Sequence, residues 1–145
     1  MPDSFRGRIP ADRLYDAQYD MWVLAPDERG LVRIGATAFG VFLAGEIIMF
    51  TGKPRGASVA TGKGLGTVET GKTILAVHSP VALEQFACNV GAEESPDLVN
   101  GDPYGRGWLG EGRVAHWPSA SAHLVDAEAY LRHVRSIDPS AAIED

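Results

Sequence analysis

The stretch LGTVETGKTILAVH, residues 65–78, contains two short apolar segments separated by four turn-forming residues. Residues 65–69 and 74–78 are rich in β-branched and aliphatic side chains, which predicts two neighbouring strands. The sequence Thr70-Gly71-Lys72-Thr73 between them predicts a tight hairpin, because Gly71 can adopt a positive φ without steric penalty. The stretch therefore predicts an exposed β-hairpin with Lys72 at its tip.

Short strand patterns continue on both sides of this hairpin. The chain contains 17 glycines and 9 prolines, which predicts many turns and short strands instead of long helices. Strands are also predicted at residues 21–24, 31–34, 46–50, 57–60, 81–89 and 108–114. Thr37 is the expected N-cap of a short apolar helix, and Asp126 that of a terminal helix ending near Arg135.

The length of 145 residues suits one domain of ordinary size. The tail after the terminal helix and the polar start of the chain lack apolar periodicity, which predicts flexible ends. The expected organisation is a flexible segment at 1–12, a folded domain at 13–136 and a flexible tail at 137–145.

Composition excludes several classes of function. The 13 Lys and Arg residues against 19 Asp and Glu residues give a net charge of −6, which disfavours nucleic acid as a partner. The single cysteine, Cys88, excludes an internal disulfide and a cysteine-based zinc site. No apolar run approaches the ~18 residues of a membrane span, and the N-terminus lacks a secretory pattern. These features predict a cytoplasmic protein in a reducing compartment.

One nucleotide-binding motif is present but stands in the wrong context. Residues 66–73 match G-x-x-x-x-G-K-[ST] letter for letter. A phosphate-binding loop lies between a buried strand and a helix whose N-terminus faces the phosphates. Here a glycine-rich polar stretch precedes the motif, and a short strand pattern ending at Pro80 follows it. Nucleotide binding through residues 66–73 is therefore kept only as a distant alternative.

A lysine at a hairpin tip has the properties that a covalent carrier arm requires. Its primary amine stands on a long flexible stem, so that a modifying enzyme can reach it and the finished arm can move between enzymes. The competing interpretation is an ordinary solvated turn lysine. The surrounding sequence decides between these two.

Much of the chain, from about Tyr15 to Leu131, resembles the H protein of the glycine cleavage system and its lipoate-binding relatives. The family's lipoyl site resembles Glu69-Thr70-Gly71-Lys72 with Pro80 eight positions after the lysine. The longest match is PDLVNGDPYGRGWL at residues 96–109, and LVDAEAY at 124–130 resembles the family's terminal helix.

This resemblance implies a mainly β fold, a barrel-sandwich hybrid of two antiparallel sheets with short helices and a C-terminal helix. It implies lipoate in amide linkage to Lys72, with Glu69, Thr70, Gly71 and His78 as the neighbouring site residues. Such a protein is a carrier and not an enzyme, because the redox chemistry belongs to the cofactor's sulfur atoms. The implied partners are a lipoate ligase or lipoyl-assembly enzymes, and dihydrolipoamide dehydrogenase.

Departures from the family pattern bear on the pathway. Asp20-Met21-Trp22 stands where glycine-cleavage members have His-Glu-Trp, and Leu75-Ala76 replaces a polar Ser-Asp pair. Because these changes surround the arm, they favour the lipoate-binding branch that serves a heterodisulfide-reductase-like system in bacterial sulfur oxidation. The alternative is a glycine cleavage H protein that carries the aminomethyl group between the glycine cleavage enzymes.

Other candidate residues have simpler interpretations. Cys88 is expected to be a buried, inert thiol instead of one that exchanges with the lipoyl disulfide. His78 is either a surface residue at a strand end or a contact to the cofactor. The remaining histidines lack metal-ligand spacing and are expected to be solvated; they are His116, His123 and His133. Tyr104 and Trp108 are expected to serve packing.

Overall fold

A computed structural model of the protein describes residues 4–145, which the frequent glycines and prolines divide into short elements. The strands are β1 (Arg6–Arg8), β2 (Leu14–Asp16), β3 (Met21–Leu24), β4 (Leu31–Ala36), β5 (Met49–Gly52), β6 (Ala57–Val59), β7 (Gly64–Glu69), β8 (Ile74–His78), β9 (Leu83–Cys88), β10 (Gly110–Arg113) and β11 (Ala142–Glu144). The helices are α1 (Ala38–Ala44), α2 (Val90–Glu94), α3 (Asp97–Gly101), α4 (Trp117–Ala120) and α5 (Ala127–Ile137).

Two antiparallel sheets form the body of the molecule. The larger sheet has the strand order β2-β3-β4-β10-β9-β6, and the smaller has the order β5-β7-β8. The predicted hairpin is the β7–β8 pair of the smaller sheet. The prediction of a mainly β barrel-sandwich with short helices and a terminal helix is confirmed.

The main hydrophobic core contains apolar side chains from both sheets. Strand side chains alternate between two faces, so Met21 and Val23 of β3 belong to this core while Trp22 points to the opposite side. The smaller sheet contributes Phe50 of β5, Leu65 and Val68 of β7, and Val77 of β8, of which Phe50 and Val68 are register partners near the hairpin turn. Burial of these two residues anchors the hairpin on the larger sheet.

A second core covers the other face of the larger sheet. Tyr15 and Tyr130 stack there with ring centroids 4.7 Å apart, and both are fully buried. Trp22, Phe39 of α1 and Phe5 belong to the same buried aromatic group. This cluster explains why β3 is buried on both faces.

Both predicted helix caps are confirmed. The Thr37 hydroxyl accepts a hydrogen bond from the Gly40 amide at 2.9 Å at the start of α1. The Asp126 carboxylate accepts one from the Ala129 amide at 2.9 Å at the start of α5. Among the helices of residues 4–145, none is long and apolar enough to cross a membrane.

The stretch at residues 96–109 forms α3 and the turns that follow it. The Asn100 side chain makes two 2.9 Å hydrogen bonds to the backbone of Ile47, one as donor and one as acceptor. The indole Nε1 of Trp22 donates to the Pro103 carbonyl at 2.9 Å. These bonds attach residues 96–109 both to Ile47, which precedes β5 of the smaller sheet, and to Trp22 in β3 of the larger sheet.

The two chain ends differ from the sequence expectation. Segments 1–12 and 137–145 were predicted to be flexible, but they contribute β1 and β11, which pair in parallel. The physical reason is Phe5, which is 2% exposed and packs edge-on against Phe39 of α1 at 5.3 Å between ring centroids. Its amide also donates to Asp138. Residues 1–3 lie outside the described residues, and the folded-domain boundaries 13–136 stay a prediction.

Phe5→Ala should lower the free energy of unfolding by about 3 kcal/mol, because it removes a buried aromatic ring from the second core. Thermal and urea denaturation would measure the loss. The matched control is Arg6→Ala, which changes the exposed next residue, the first of β1, and should alter stability by less than about 0.5 kcal/mol. Equal stabilities of the two variants would contradict the ordered terminal pair.

Candidate functional site

Lys72 lies at the apex of the hairpin, in the turn between β7 and β8. Gly71, Lys72 and Thr73 are all exposed. Among the ion pairs of residues 4–145, none involves the Lys72 amine. The geometry therefore presents this amine to solvent, clear of the two sheets.

The side chain of Thr70 organises the turn. Thr70 is 9% exposed, and its amide donates to the Thr73 carbonyl at 2.9 Å. Its hydroxyl oxygen accepts hydrogen bonds from the amides of Lys72 and Thr73, both at 3.3 Å. Thr70 thus positions the backbone on which Lys72 stands and leaves the amine free.

Gly71 does not adopt the positive φ that was expected in the turn. Its φ lies outside the left-handed region, in contrast to Gly30, Gly45, Gly56 and Gly62. A Cβ atom at Gly71 would meet nothing within 4 Å. The Thr70 hydroxyl satisfies the turn amides, so the turn does not need a left-handed glycine.

The three lysines of the sequence occupy different surroundings. Lys53 follows β5, and its amide donates to the Leu65 carbonyl. Lys63 lies between β6 and β7, and its amide donates to the Ala60 carbonyl. Of the three, Lys72 is the one in the hairpin turn that joins β7 to β8.

Glu69 ends β7 and lies beside the turn. Its register partners are Met49 on β5 and Ile74 on β8, so these three side chains share one face of the smaller sheet. Phe50 and Val68, the next residues along their strands, are buried and face the core. The row that contains Glu69 therefore faces solvent.

A cleft of about 140 Å³ separates β8 from α1. Leu75 and Val77 line one side of it, and Val41 and Ala44 line the other. Asp20 is also among the lining residues, while its carboxylate accepts a hydrogen bond from Tyr130. The cleft therefore offers an apolar surface directly below the hairpin that bears Lys72.

His78 lies at the edge of the cleft and not free on the surface. Its ring stacks on Tyr19 with centroids 4.6 Å apart, and its Nδ1 donates to the Gly62 carbonyl at 2.9 Å. The ring is half-buried. Its contact with a cofactor stays a prediction.

Asp20 belongs to a buried polar network behind the cleft. The Tyr130 hydroxyl donates to Asp20 Oδ1 at 2.7 Å, and the Thr37 hydroxyl lies 2.8 Å from the same phenol oxygen. His133 Nε2 is 3.5 Å from Asp20 Oδ1. Burial raises the pKa of the Asp20 carboxyl, while the Tyr130 hydrogen bond and His133 act in the opposite direction.

The nucleotide-binding alternative does not fit this geometry. Residues 66–69 of the motif belong to β7, and β8 follows the turn at the position where a phosphate-binding loop requires a helix. The helix N-terminus that would face the phosphates is therefore not available at Lys72.

Cys88 and His133, two further candidate residues, lie in surroundings that indicate structural roles. Cys88 is half-buried against Gly52, and burial together with Glu93 raises the pKa of its thiol, which agrees with an inert cysteine. The expectation of a solvated His133 is wrong, because its Nε2 is buried within the network at Asp20. Within the described chain, no three His, Cys, Asp or Glu side chains are grouped to hold a metal ion.

Tyr104 and Trp108, which follow α3, both make contacts that join separate parts of the fold. The Tyr104 hydroxyl donates to the Arg8 carbonyl at 2.7 Å and accepts from the Ala38 amide at 3.1 Å, so it joins β1 to α1. Burial raises the pKa of Tyr104 to about 12. The Arg33 guanidinium lies over the Trp108 ring at 4.2 Å.

Comparison with known proteins identifies the family. The model of the glycine cleavage H-protein family matches residues 13–137. The chain belongs to the glycine cleavage H-protein family. The glycine cleavage system H protein of Mycolicibacterium smegmatis is 38% identical over 124 residues, which cover 84% of this chain and 93% of that protein. Glycine cleavage system H protein 5 of Aquifex aeolicus is 36% identical over 122 residues, 83% of this chain and 82% of that protein.

A solved relative supports the same assignment. The crystal structure of a glycine cleavage system H protein from Mycobacterium marinum superposes with a TM-score of 0.73 at 29% identity. The match covers 85% of this chain and 96% of the other. H proteins of this family carry lipoate covalently on a lysine and are carriers instead of catalysts.

The hairpin glycines provide a test of the site geometry. Gly66→Ala should lower the free energy of unfolding by about 1–3 kcal/mol, because its Cβ would collide with the Thr51 carbonyl oxygen on β5. Gly71→Ala should leave stability unchanged or raise it by about 0.4–1 kcal/mol, because nothing obstructs the new Cβ. Denaturation curves of the two variants measure both effects. A large loss on Gly71→Ala would contradict the turn described above.

Asp20→Asn should raise the free energy of unfolding near pH 8 by up to about 1 kcal/mol, because it removes a partly buried ionised carboxylate. An acid with a raised folded-state pKa destabilises the fold when ionised, so the gain should vanish as pH falls below the ordinary Asp pKa of 3.8. Denaturation at several pH values measures the trend, with the exposed Glu84→Gln as control. A gain that increases toward low pH would contradict it.

Proposed function

We propose that this protein is a lipoyl carrier of the glycine cleavage system, with lipoate in amide linkage to Lys72. The observation that supports this most directly is the solvent-exposed Lys72 amine at a hairpin apex in a chain of the H-protein family. The amide would remove one positive charge and change the net charge from −6 to −7, since −6 − 1 = −7.

The residues around Lys72 fit a flexible acyl arm. Thr70 holds the turn backbone, Gly71 adds no side chain beside the amine, and Glu69 ends the strand that leads into the turn. Leu75 and Val77 provide apolar contacts in the cleft below, at the edge of which His78 lies. Lipoate supplies a disulfide that can be reduced to a dithiol, and the chain supplies its attachment and position.

The choice of pathway depends on the comparisons and on the cleft. The relatives described above are named for glycine cleavage, which supports the alternative over the sulfur-oxidation pathway that the sequence departures favoured. Those departures included the missing acid at Met21. Asp20 is the neighbouring residue and also lines the cleft, so an acidic residue is retained next to that position.

The proposed cargo is accordingly the aminomethyl group, and the proposed partners are the glycine cleavage enzymes and dihydrolipoamide dehydrogenase. A lipoate ligase or lipoyl-assembly enzymes would attach the arm. The heterodisulfide-reductase-like complex receives no support from the comparisons. A cytoplasmic location stays a prediction from the sequence.

Intact-mass measurement of protein isolated from its native source tests the attachment. The wild-type chain should carry the mass of one lipoyl group, and Lys72→Arg should abolish it because the guanidinium is not acylated. Lys53→Arg and Lys63→Arg are matched controls at the other two lysines and should retain the adduct. An adduct that persists on Lys72→Arg would exclude Lys72 as the attachment point.

The pathway has a separate test. Lipoylated protein mixed with glycine decarboxylase, aminomethyltransferase and dihydrolipoamide dehydrogenase should support repeated turnover of glycine, provided that a one-carbon acceptor and the electron acceptor NAD⁺, which allows the dithiol to be reoxidised, are present. Absence of turnover with fully lipoylated protein would contradict the glycine cleavage pathway and favour sulfur oxidation instead.

A further inference from the structure

Exposed apolar side chains are concentrated around the Lys72 turn. Within residues 4–145, seven large apolar side chains are exposed, and four of them lie on the smaller sheet or next to it at the turn end: Ile48, Met49, Ile74 and Leu75. Ile48, which precedes β5, is held beside the end of β7 because its amide donates to the Glu69 carbonyl at 2.8 Å. Leaving such side chains in water is unfavourable by about 25 cal/mol per Å², and clusters of them mark contact surfaces.

Two of these apolar side chains, Met49 and Ile74, flank Glu69, and we call the three residues the outer row. They are direct register partners across three strands, and such partners lie about 5 Å apart on one face of a sheet. Met49 is 49% exposed and Ile74 is 63% exposed. The outer row is therefore a carboxylate flanked by two apolar side chains, immediately beside the Lys72 turn.

We propose that the outer row is the docking surface for the enzyme that acylates Lys72, with Met49 and Ile74 making its apolar contacts. This inference rests on the proposed lipoyl attachment at Lys72. The complementary surface of the acylating enzyme is therefore expected to be apolar, with one cationic side chain opposite Glu69.

The position of the row identifies this occupant. An enzyme that acylates the amine must enclose the hairpin tip, and Ile74 is only two residues from Lys72. An enzyme that acts on the sulfur atoms works at the far end of the arm and has no such requirement. The residues beside the turn are therefore in obligatory contact with the acylating enzyme only.

Charge supports the same assignment. The carrier has a net charge of −6, so a partner with cationic groups is attracted to it. An acidic side chain between two apolar ones is complementary to an arginine or lysine set in an apolar surface. Leu75, in contrast, belongs to the cleft and is left out of the row.

The experiment measures lipoate transfer to the full-length carrier by the native host's ligase with ATP. In this reaction the Lys72 nitrogen forms the amide bond with an acyl adenylate, the acyl–phosphate bond breaks, and AMP and a proton leave. Initial rates by intact mass give kcat/KM for wild type and for the Met49→Thr/Ile74→Thr double variant. Threonine keeps the β preference of these strand positions.

The double variant should lower kcat/KM at least about tenfold, mainly through KM, with unchanged melting temperature. Glu69→Gln should lower it about tenfold at low salt, and its rate should depend less on ionic strength than that of wild type. Val90→Thr, an exposed apolar residue on α2, is the control and should stay within about twofold of wild type.

Other outcomes would overturn the inference. Wild-type rates for both row variants would show that the ligase does not use the outer row. Normal lipoylation with loss of transfer only to the glycine cleavage enzymes would assign the row to those enzymes. A wild-type dimer that the double variant converts to a monomer, with lipoylation unchanged, would assign it to a second copy of the chain. Failure of wild type to be lipoylated both by the ligase and in its native source would instead contradict the proposed function.

Discussion

Burial of Phe50 and Val68 is the constraint on which the position of Lys72 depends. These side chains are register partners on neighbouring strands and insert together into the core against the larger sheet. Side chains of a strand alternate with a period of two, so a slip of one residue would exchange the buried and exposed rows. The register that buries this pair also turns Glu69 outward and holds the Lys72 turn in solvent, where an acylating enzyme can reach it.

The cleft below the hairpin is shaped by elements distant in sequence. Tyr130 of α5 donates to Asp20 and contacts the Thr37 hydroxyl, which caps α1. One phenol group therefore connects the terminal helix, the turn before β3 and the helix that forms one wall of the cleft. Asn100 adds a further constraint through its two hydrogen bonds to Ile47, another residue that lines the cleft.

Features with a local cause were predictable from the sequence, and features that depend on distant contacts were not. The Lys72 hairpin and the caps at Thr37 and Asp126 follow from neighbouring residues, so they could be located without the structure. The expectation of a left-handed Gly71 was wrong because the turn amides of Lys72 and Thr73 donate to the adjacent Thr70 hydroxyl, and the turn needs no positive φ. Burial of His133 and pairing of β1 with β11 depend on packing between residues more than a hundred positions apart, for which a single sequence contains no local signal.

The placement of aromatic residues has a spectroscopic consequence. Strands β5, β7 and β8 contain neither tryptophan nor tyrosine. The indoles lie elsewhere: Trp22 is fully buried in the second core, Trp108 lies under a guanidinium, and Trp117 begins α4. Tryptophan fluorescence therefore reports mainly on the larger sheet and its surroundings. The aromatic residue in direct contact with the arm-bearing hairpin is Tyr19, which stacks on His78 at the end of β8 and would be the intrinsic reporter of its loosening.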